Sequence, residues 1–341
     1  MPAGNVEATA TTEKIPYSVT VTGGTGSGNY TVGNTVSITA NVPAGYRFVR
    51  WDTSTAVTYT GGTNANSNTA KFTMPAQAVT ATAVLEVPVT NISQLRNALS
   101  SGTPGRIIRL QNNIGANNFD ENGFKKDHNN WGAINITNGD FILDGNGFVL
   151  TMAPISSSAQ NDLEVGLLGK VTGGNITIKN LGVIGQVEAN STSAGGTAKV
   201  RAGGLAALVS GGNFTVENTY FVNTGARGVR ATRDSRSSTA ISSAGGFFGE
   251  ITTGATINIF DCFVYADVEA HTQASGAGKN STSHAGGFVG WITDNANLTM
   301  ARSYAAGSVT SYAYASATAT RYAGGLVGLI EESTATATRA C

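Results

Sequence analysis

A short glycine-led phrase is written five times in the second half of this 341-residue chain: VGLLGKV, AGGLAALV, AGGFFGEI, AGGFVGWI and AGGLVGLI. Aligned on Gly166, Gly204, Gly246, Gly287 and Gly325, the copies are spaced by 38, 42, 41 and 38 residues. Periods of about 20 to 50 residues belong to solenoids and propellers. Each copy is followed by a second strand-like run (NITIKN, NFTVEN, TINIFD or NLTMAR) and a third (LGVIGQV, YFVNTG, CFVYADV or SYAAGSV). Three short strands and a polar loop of roughly a dozen residues predict one rung of a parallel β-helix, with rungs stacked at the sheet spacing.

Stacking turns aligned positions into columns. Leu167, Leu205, Phe247, Phe288 and Leu326 form one apolar column, and Val171, Val209, Ile251, Ile292 and Ile330 form another of the same parity. Between them Gly169, Ala207, Gly249, Gly290 and Gly328 are small, as a narrow interior requires where walls approach. Lys170, Leu208, Glu250, Trp291 and Leu329 vary in character and are placed outside. Leu168, Ala206, Phe248, Val289 and Val327 have outward parity yet stay apolar. Three arrangements fit them: a glycine kink that turns them in, polar loops folded over them, or an exposed stripe for a partner.

The first third is written differently. YSVTVT, TVSITA, YRFVRW, AKFTM and AVTATAV alternate as strands, parted by GGTGSGN and GGTNANSN turns. Residues 14–86 form one such unit. MPAGNVEATAT at Met1 matches MPAQAVTATAV at Met74, so residues 1–13 read as the last strand of a truncated preceding unit. From residue 87 the style changes. Leu95, Ala98 and Leu99 sit at helical spacing behind Ser93 as N-cap, giving a short helix that caps the open end of the solenoid. AINITNGDFILDGNGFVLTM then reads as three strands of the entry coils.

Two families share these motifs. GYRFVRW followed by KFTMPAQAVTATA resembles the internalin-type B-repeat, a small β-rich module of bacterial surface proteins. The repeats from about 165 to 341 resemble the GLUG repeat, whose Gly-Leu-x-Gly core GGLVG displays at Gly324 to Gly328, and the last copy reads as C-terminally truncated. These resemblances imply an all-β chain, a B-repeat module followed by a right-handed parallel β-helix over 87–341. They also imply an extracellular setting on a bacterial cell surface or wall. GLUG repeats also occur in some zinc immunoglobulin-A peptidases.

Only 12% of residues are charged and the formal net charge is zero, which argues against nucleic acid as a partner. No apolar run approaches the roughly 18 residues of a membrane span. Two cysteines make no disulfide framework; Cys262 and Cys341 share a column two rungs apart, too far to bridge, so both are expected as free thiols. His128, His271 and His284 are scattered and H-E-x-x-H is absent, so no metal and no cofactor is implied. The acids a glycosidase or lyase would need are Asp140, Asp144, Asp261, Asp267 and Glu269, with Asp144 in a DGNG turn and Asp267 and Glu269 able to share a strand face.

Three features remain as candidate binding residues. Arg227, Arg230, Arg233 and Arg236 recur every third residue in one long loop. Such a row suits the planar anionic groups of a sialylated, sulfated or phosphorylated glycan, or it is a solvated loop answering Glu188, Glu250 or Glu269. Trp291 faces out in its column. Tyr312 and Tyr314, with Tyr322, mark the last long loop, where tyrosine can stack on sugars or pack on the wall. The chain therefore reads as a non-catalytic stalk or adhesin-like segment whose partner is a host or environmental glycan or a surface protein. The competing readings are a carbohydrate-active β-helix enzyme, an accessory region of a larger zinc peptidase, and a pure spacer.

Overall fold

The computed structural model describes residue 9 and residues 13–101, 105–115, 134–152, 155–159, 162–193, 198–223, 228–236 and 238–338. The expected strand at residues 1–13 and the Cys341 thiol lie outside the described residues. The chain divides into two compact units, Met1–Val87 and Pro88–Cys341.

In the first unit, alternation becomes a small β fold. Pro16–Thr22 runs parallel to the strand that starts at Val79, with Val19 opposite Val79, and antiparallel to Gly28–Thr31. Thr35–Ala40 pairs antiparallel with Thr69–Thr73. Val19, Val36, Ile38, Trp51, Phe72 and Met74 fill the core. Trp51 is buried, packs 5.5 Å from Phe48 and donates its indole N–H to the Ser67 carbonyl. These aromatics build a core, as alternation on a half-buried strand dictates.

The second unit is a parallel β-solenoid with four walls. Wall 1 carries strands such as Ala206–Ser210 and Asn213–Glu217. Walls 2, 3 and 4 are five-stranded parallel sheets, with Tyr220–Val222, Val229–Ser235 and Ala240–Gly245 as their members in the same turn. The expected polar loop is thus two further strands, on walls 3 and 4. Its residues are polar because these walls alternate outward polar side chains with inward Ala, Ser and Thr, which lack the apolar bulk that marks a strand in sequence. Likewise Ile136–Asp144 is continuous where two strands were expected, its Asn138–Gly139 step matching Gly174 of the next rung.

The cap helix is Ile92–Ser100, with Ile92, Leu95, Ala98 and Leu99 buried. Its N-cap is Asn91, not Ser93: Asn91 Oδ1 accepts the Gln94 N–H at 3.0 Å, and Gln94 Oε1 accepts the Thr90 N–H at 2.8 Å. At the other end the buried Arg106 side chain donates to the Ala98 carbonyl at 2.8 and 3.2 Å and covers the Phe141 ring, which satisfies the helix terminus from wall 1.

The glycine pair of the repeat marks the corner from wall 4 to wall 1. A methyl at Gly246 would lie 2.5 Å from Val264 Cγ1, and one at Gly204 2.6 Å from the Phe221 ring, both on wall 2 across the interior. A methyl at Gly290 would lie 2.8 Å from the Ala244 backbone of wall 4. This corner also settles the ambiguous column. Leu168, Ala206, Phe248 and Val289 are fully buried, and Phe248 packs edge-on at 5.2 Å against Phe214, an inward residue of wall 1. The pairing register passes from Phe248 to Glu250 without Gly249, so the glycine kink turns this column in.

Candidate functional site

Three outer surfaces carry the residues singled out from the sequence. The first is the wall 4–wall 1 corner, which is concave. Outward positions of wall 4 stack as Glu164, Arg201, Ser243, His284 and Tyr322. They face the wall 1 column Lys170, Leu208, Glu250, Trp291 and Leu329. This second column lies on the outer face, as expected, but its middle is covered: Lys170 is exposed, whereas Glu250 is 1% exposed and Leu208 5%. Glu250 accepts from Arg201 Nε at 2.5 Å and Lys199 Nζ at 3.2 Å, and Arg201 also reaches Glu164 at 2.9 Å. Burial works against the Arg201 charge, but Glu250, Glu164 and Asp162 outweigh it and hold its pKa up. At Glu164 burial dominates and the attraction of Arg201 only partly offsets it, so that carboxyl titrates above its ordinary range.

Trp291 lies in this corner, stacked on His284 with centroids 4.5 Å apart and roofed by the Lys199 ammonium at 4.7 Å. His284 is sandwiched between Trp291 and Tyr322. Its Nδ1 lies 3.2 Å from Ser243 Oγ, a pairing of hydroxyl and imidazole. Both residues are 1% exposed, so this contact is covered rather than presented to a substrate. Burial pushes the imidazole down to about 4, against a hydrogen bond to the Ser242 backbone and the field of Glu250. Arg201, Ser243 and His284 were missed from the sequence although a signal was there: each directly precedes an Ala-Gly-Gly triplet, as Tyr322 does.

The second surface is the arginine row, which the fold disperses. Arg227 lies outside the described residues. Arg230 points out from wall 3 and bridges Glu269 at 3.0 Å and Glu188 at 3.8 Å, so the acids of neighbouring rungs answer it. Arg233 has inward parity, is fully buried and donates to Ser191 Oγ at 2.5 Å. Burial lowers its pKa, with Asp162 and Asp234 opposing. Arg236 is exposed at the following bend. A spacing of three on a strand of period two sends Arg230 and Arg233 to opposite faces, so these two do not act together on one anion.

The third surface is tyrosine. Tyr312 and Tyr314 stand on strand Val309–Ala315 of wall 3, not on a loop, and are 39% and 56% exposed. Both flank His271, at 6.0 and 5.9 Å. On wall 2, Tyr220, Phe263 and Tyr304 stack nearly parallel at 4.8 and 5.5 Å, and Tyr265 projects beside them. Of the candidate acids, Asp140 is exposed on strand Ile136–Asp144, and the others are tied to structure. Asp144 accepts the Asn146 N–H and the Asn180 side chain, Asp261 holds Arg302 bidentately, and Asp267 accepts from Ser308. Asp267 and Glu269 do not pair, because Asp267 sits in the turn before Val268–Ala274. Hydrogen bonds from Ser308 keep the Asp267 carboxyl below its usual range. Cys262 is a free, buried thiol pushed up to about 12 by burial, and its N–H donates to Ser303, its column neighbour. Among the described residues no cluster of three or more ligating side chains could hold a metal. No described helix is long and apolar enough to cross a membrane.

Comparison with known proteins adds one assignment. Residues 17–87 match the divergent InlB B-repeat domain. That span lies within the first unit, ends with it at Val87, and overlaps the 14–86 module read from its aromatic motif. Among solved structures, the chain is similar to a "putative immunoglobulin A1 protease" from Bacteroides ovatus, at 18% identity and a TM-score of 0.40, covering 74% of this chain and 77% of that one. A second is the SRRP of L. reuteri 53608, at 11% identity and a TM-score of 0.23, covering 74% of this chain and 99% of the other. No curated protein matches.

Proposed function

We propose that the chain is a non-catalytic, rigid display segment of a secreted or cell-surface bacterial protein, adhesin-like in role, with a solenoid of GLUG repeats. The observation that carries this reading is the union, in one chain, of a divergent InlB B-repeat with an in-register parallel solenoid. B-repeat modules belong to surface proteins, and a solenoid supplies a stiff rod with a long lateral surface. The side-chain chemistry supports it. Asp144, Asp261, Asp267 and Glu269, four of the five acids singled out from the sequence, each serve a turn or an ion pair.

Beads coated with the full chain are expected to adhere to a mucin or epithelial surface, and the purified chain is expected to release no reducing ends from neutral or acidic polysaccharides. Turnover of any polysaccharide, or adhesion no greater than that of uncoated beads, defeats the reading.

A further inference from the structure

Apart from Leu326 and Ile330 of the final turn, the exposed large apolar side chains among the described residues of the solenoid are four tyrosines: Tyr265, Tyr304, Tyr312 and Tyr314. They are 60%, 60%, 39% and 56% exposed. All lie on the outer faces of walls 2 and 3, in two successive rungs. We propose that these tyrosines, with Tyr312 and Tyr314 flanking His271, form a binding site for an uncharged glycan chain. The inference rests on the display reading above and gives it a ligand class.

Four observations carry it. First, the exposed groups are tyrosines rather than aliphatic side chains. A ring ending in a hydroxyl receives the C–H face of a pyranose and hydrogen-bonds its edge, and it orders at little entropic cost because it has only two side-chain torsions. Second, the platform is held in place. Tyr304 continues the near-parallel stack of Tyr220 and Phe263, and Tyr312 and Tyr314 project from one face of one strand two residues apart. Third, the charges rule against an acidic ligand. On the strands and turns that carry these tyrosines, Arg230 is committed to Glu188 and Glu269, and Arg302 to Asp261. Asp267, ionised in its hydrogen bonds with Ser308, adds a further negative charge. Fourth, Tyr312 and Tyr314 flank the half-buried His271 ring at 6.0 and 5.9 Å, so the two exposed rings are arranged around a third planar side chain.

The test is affinity electrophoresis of the full chain through gels containing a neutral β-glucan, xylan, mannan or galactan, with polygalacturonate and chondroitin sulfate as acidic comparators. Retardation is expected in at least one neutral gel and is expected to persist in high salt. The Tyr312→Ala/Tyr314→Ala variant is expected to weaken it about tenfold or more, and Tyr312→Trp/Tyr314→Trp to retain it. Unchanged thermal melting certifies that both variants fold. Migration unaffected by every neutral polysaccharide, retardation by the acidic ones alone, or binding indifferent to the alanine pair overturns the proposal. Bead adhesion measured with the same alanine pair separates the two readings: adhesion that survives the substitutions sinks the tyrosine site and leaves the display role standing. Loss of native bead adhesion sinks the display role itself.

Discussion

At the residue scale, His284 shows how a solenoid corner reshapes side-chain chemistry. An imidazole on an outward position would titrate near its ordinary value, but the concave corner buries it between Trp291 and Tyr322 and lowers it to about 4. The unfolded chain therefore takes up the proton first as the pH falls. Stability that is fully present above about pH 6.5 is lost progressively down to about pH 4, by up to ~3 kcal/mol. Chemical denaturation at pH 7.5 and pH 4.5 is expected to show this loss. His284→Phe, which keeps the stack and removes the titration, is expected to shrink the difference between the two pH values. An equal pH effect in both proteins would refute the assignment. The position was not legible as special from the residue alone. What makes His284 special is a neighbour seven residues later in sequence, Trp291, which only the turn of the chain brings back over it.

At the scale of elements, the alternation that predicts strands worked where the walls are apolar and failed where they are not. The five wall 1 phrases were legible because bulky inward side chains leave a pattern. Walls 3 and 4 were read as loops because their inward residues are Ala231, Ala270, Ser242 and Ser283, too small to signal burial. Arg230, Arg233, Tyr312, Tyr314 and Tyr322, expected on loops, thereby belong to strands, where parity decides which way each one points. The buried Arg201–Glu250 pair ties wall 4 to wall 1 and gives a sharp test. Arg201→Met leaves Glu250 buried beside Lys199 alone and is expected to cost about 3 kcal/mol. Arg201→Met/Glu250→Leu is expected to cost less than that single change, because no buried carboxylate is stranded. Urea titrations of the two variants decide the matter, and a double variant weaker than the single one argues that the pair itself, not its desolvation, holds the corner.

At the scale of the whole molecule, stability in a solenoid accrues rung by rung, since each turn contacts chiefly its neighbours. The interior columns are fully buried at Phe247, Phe288, Ile251 and Ile292, while the same columns in the final described turn are 36% exposed at Leu326 and 44% at Ile330. Hydrogen exchange in this chain is therefore expected to be faster over Val327–Ile330 than over Val289–Ile292, with protection highest near Ala206–Thr252. Uniform protection along wall 1 would mean that the rungs open as a single unit.

The sequence by itself determined the two units, the parallel stack, its period and the columns that fill it. Those are fixed by repetition and by apolar side chains, both of which survive in one dimension. It also carried the B-repeat signature of residues 17–87. Only the tertiary structure decided what lies on the outside. Whether Arg230 and Arg233 act together, whether Glu250 sees water and whether Tyr312 and Tyr314 project from one face depend on how adjacent rungs turn their side chains. Parity and corner geometry set those answers, and they are properties of stacked turns that no single repeat contains.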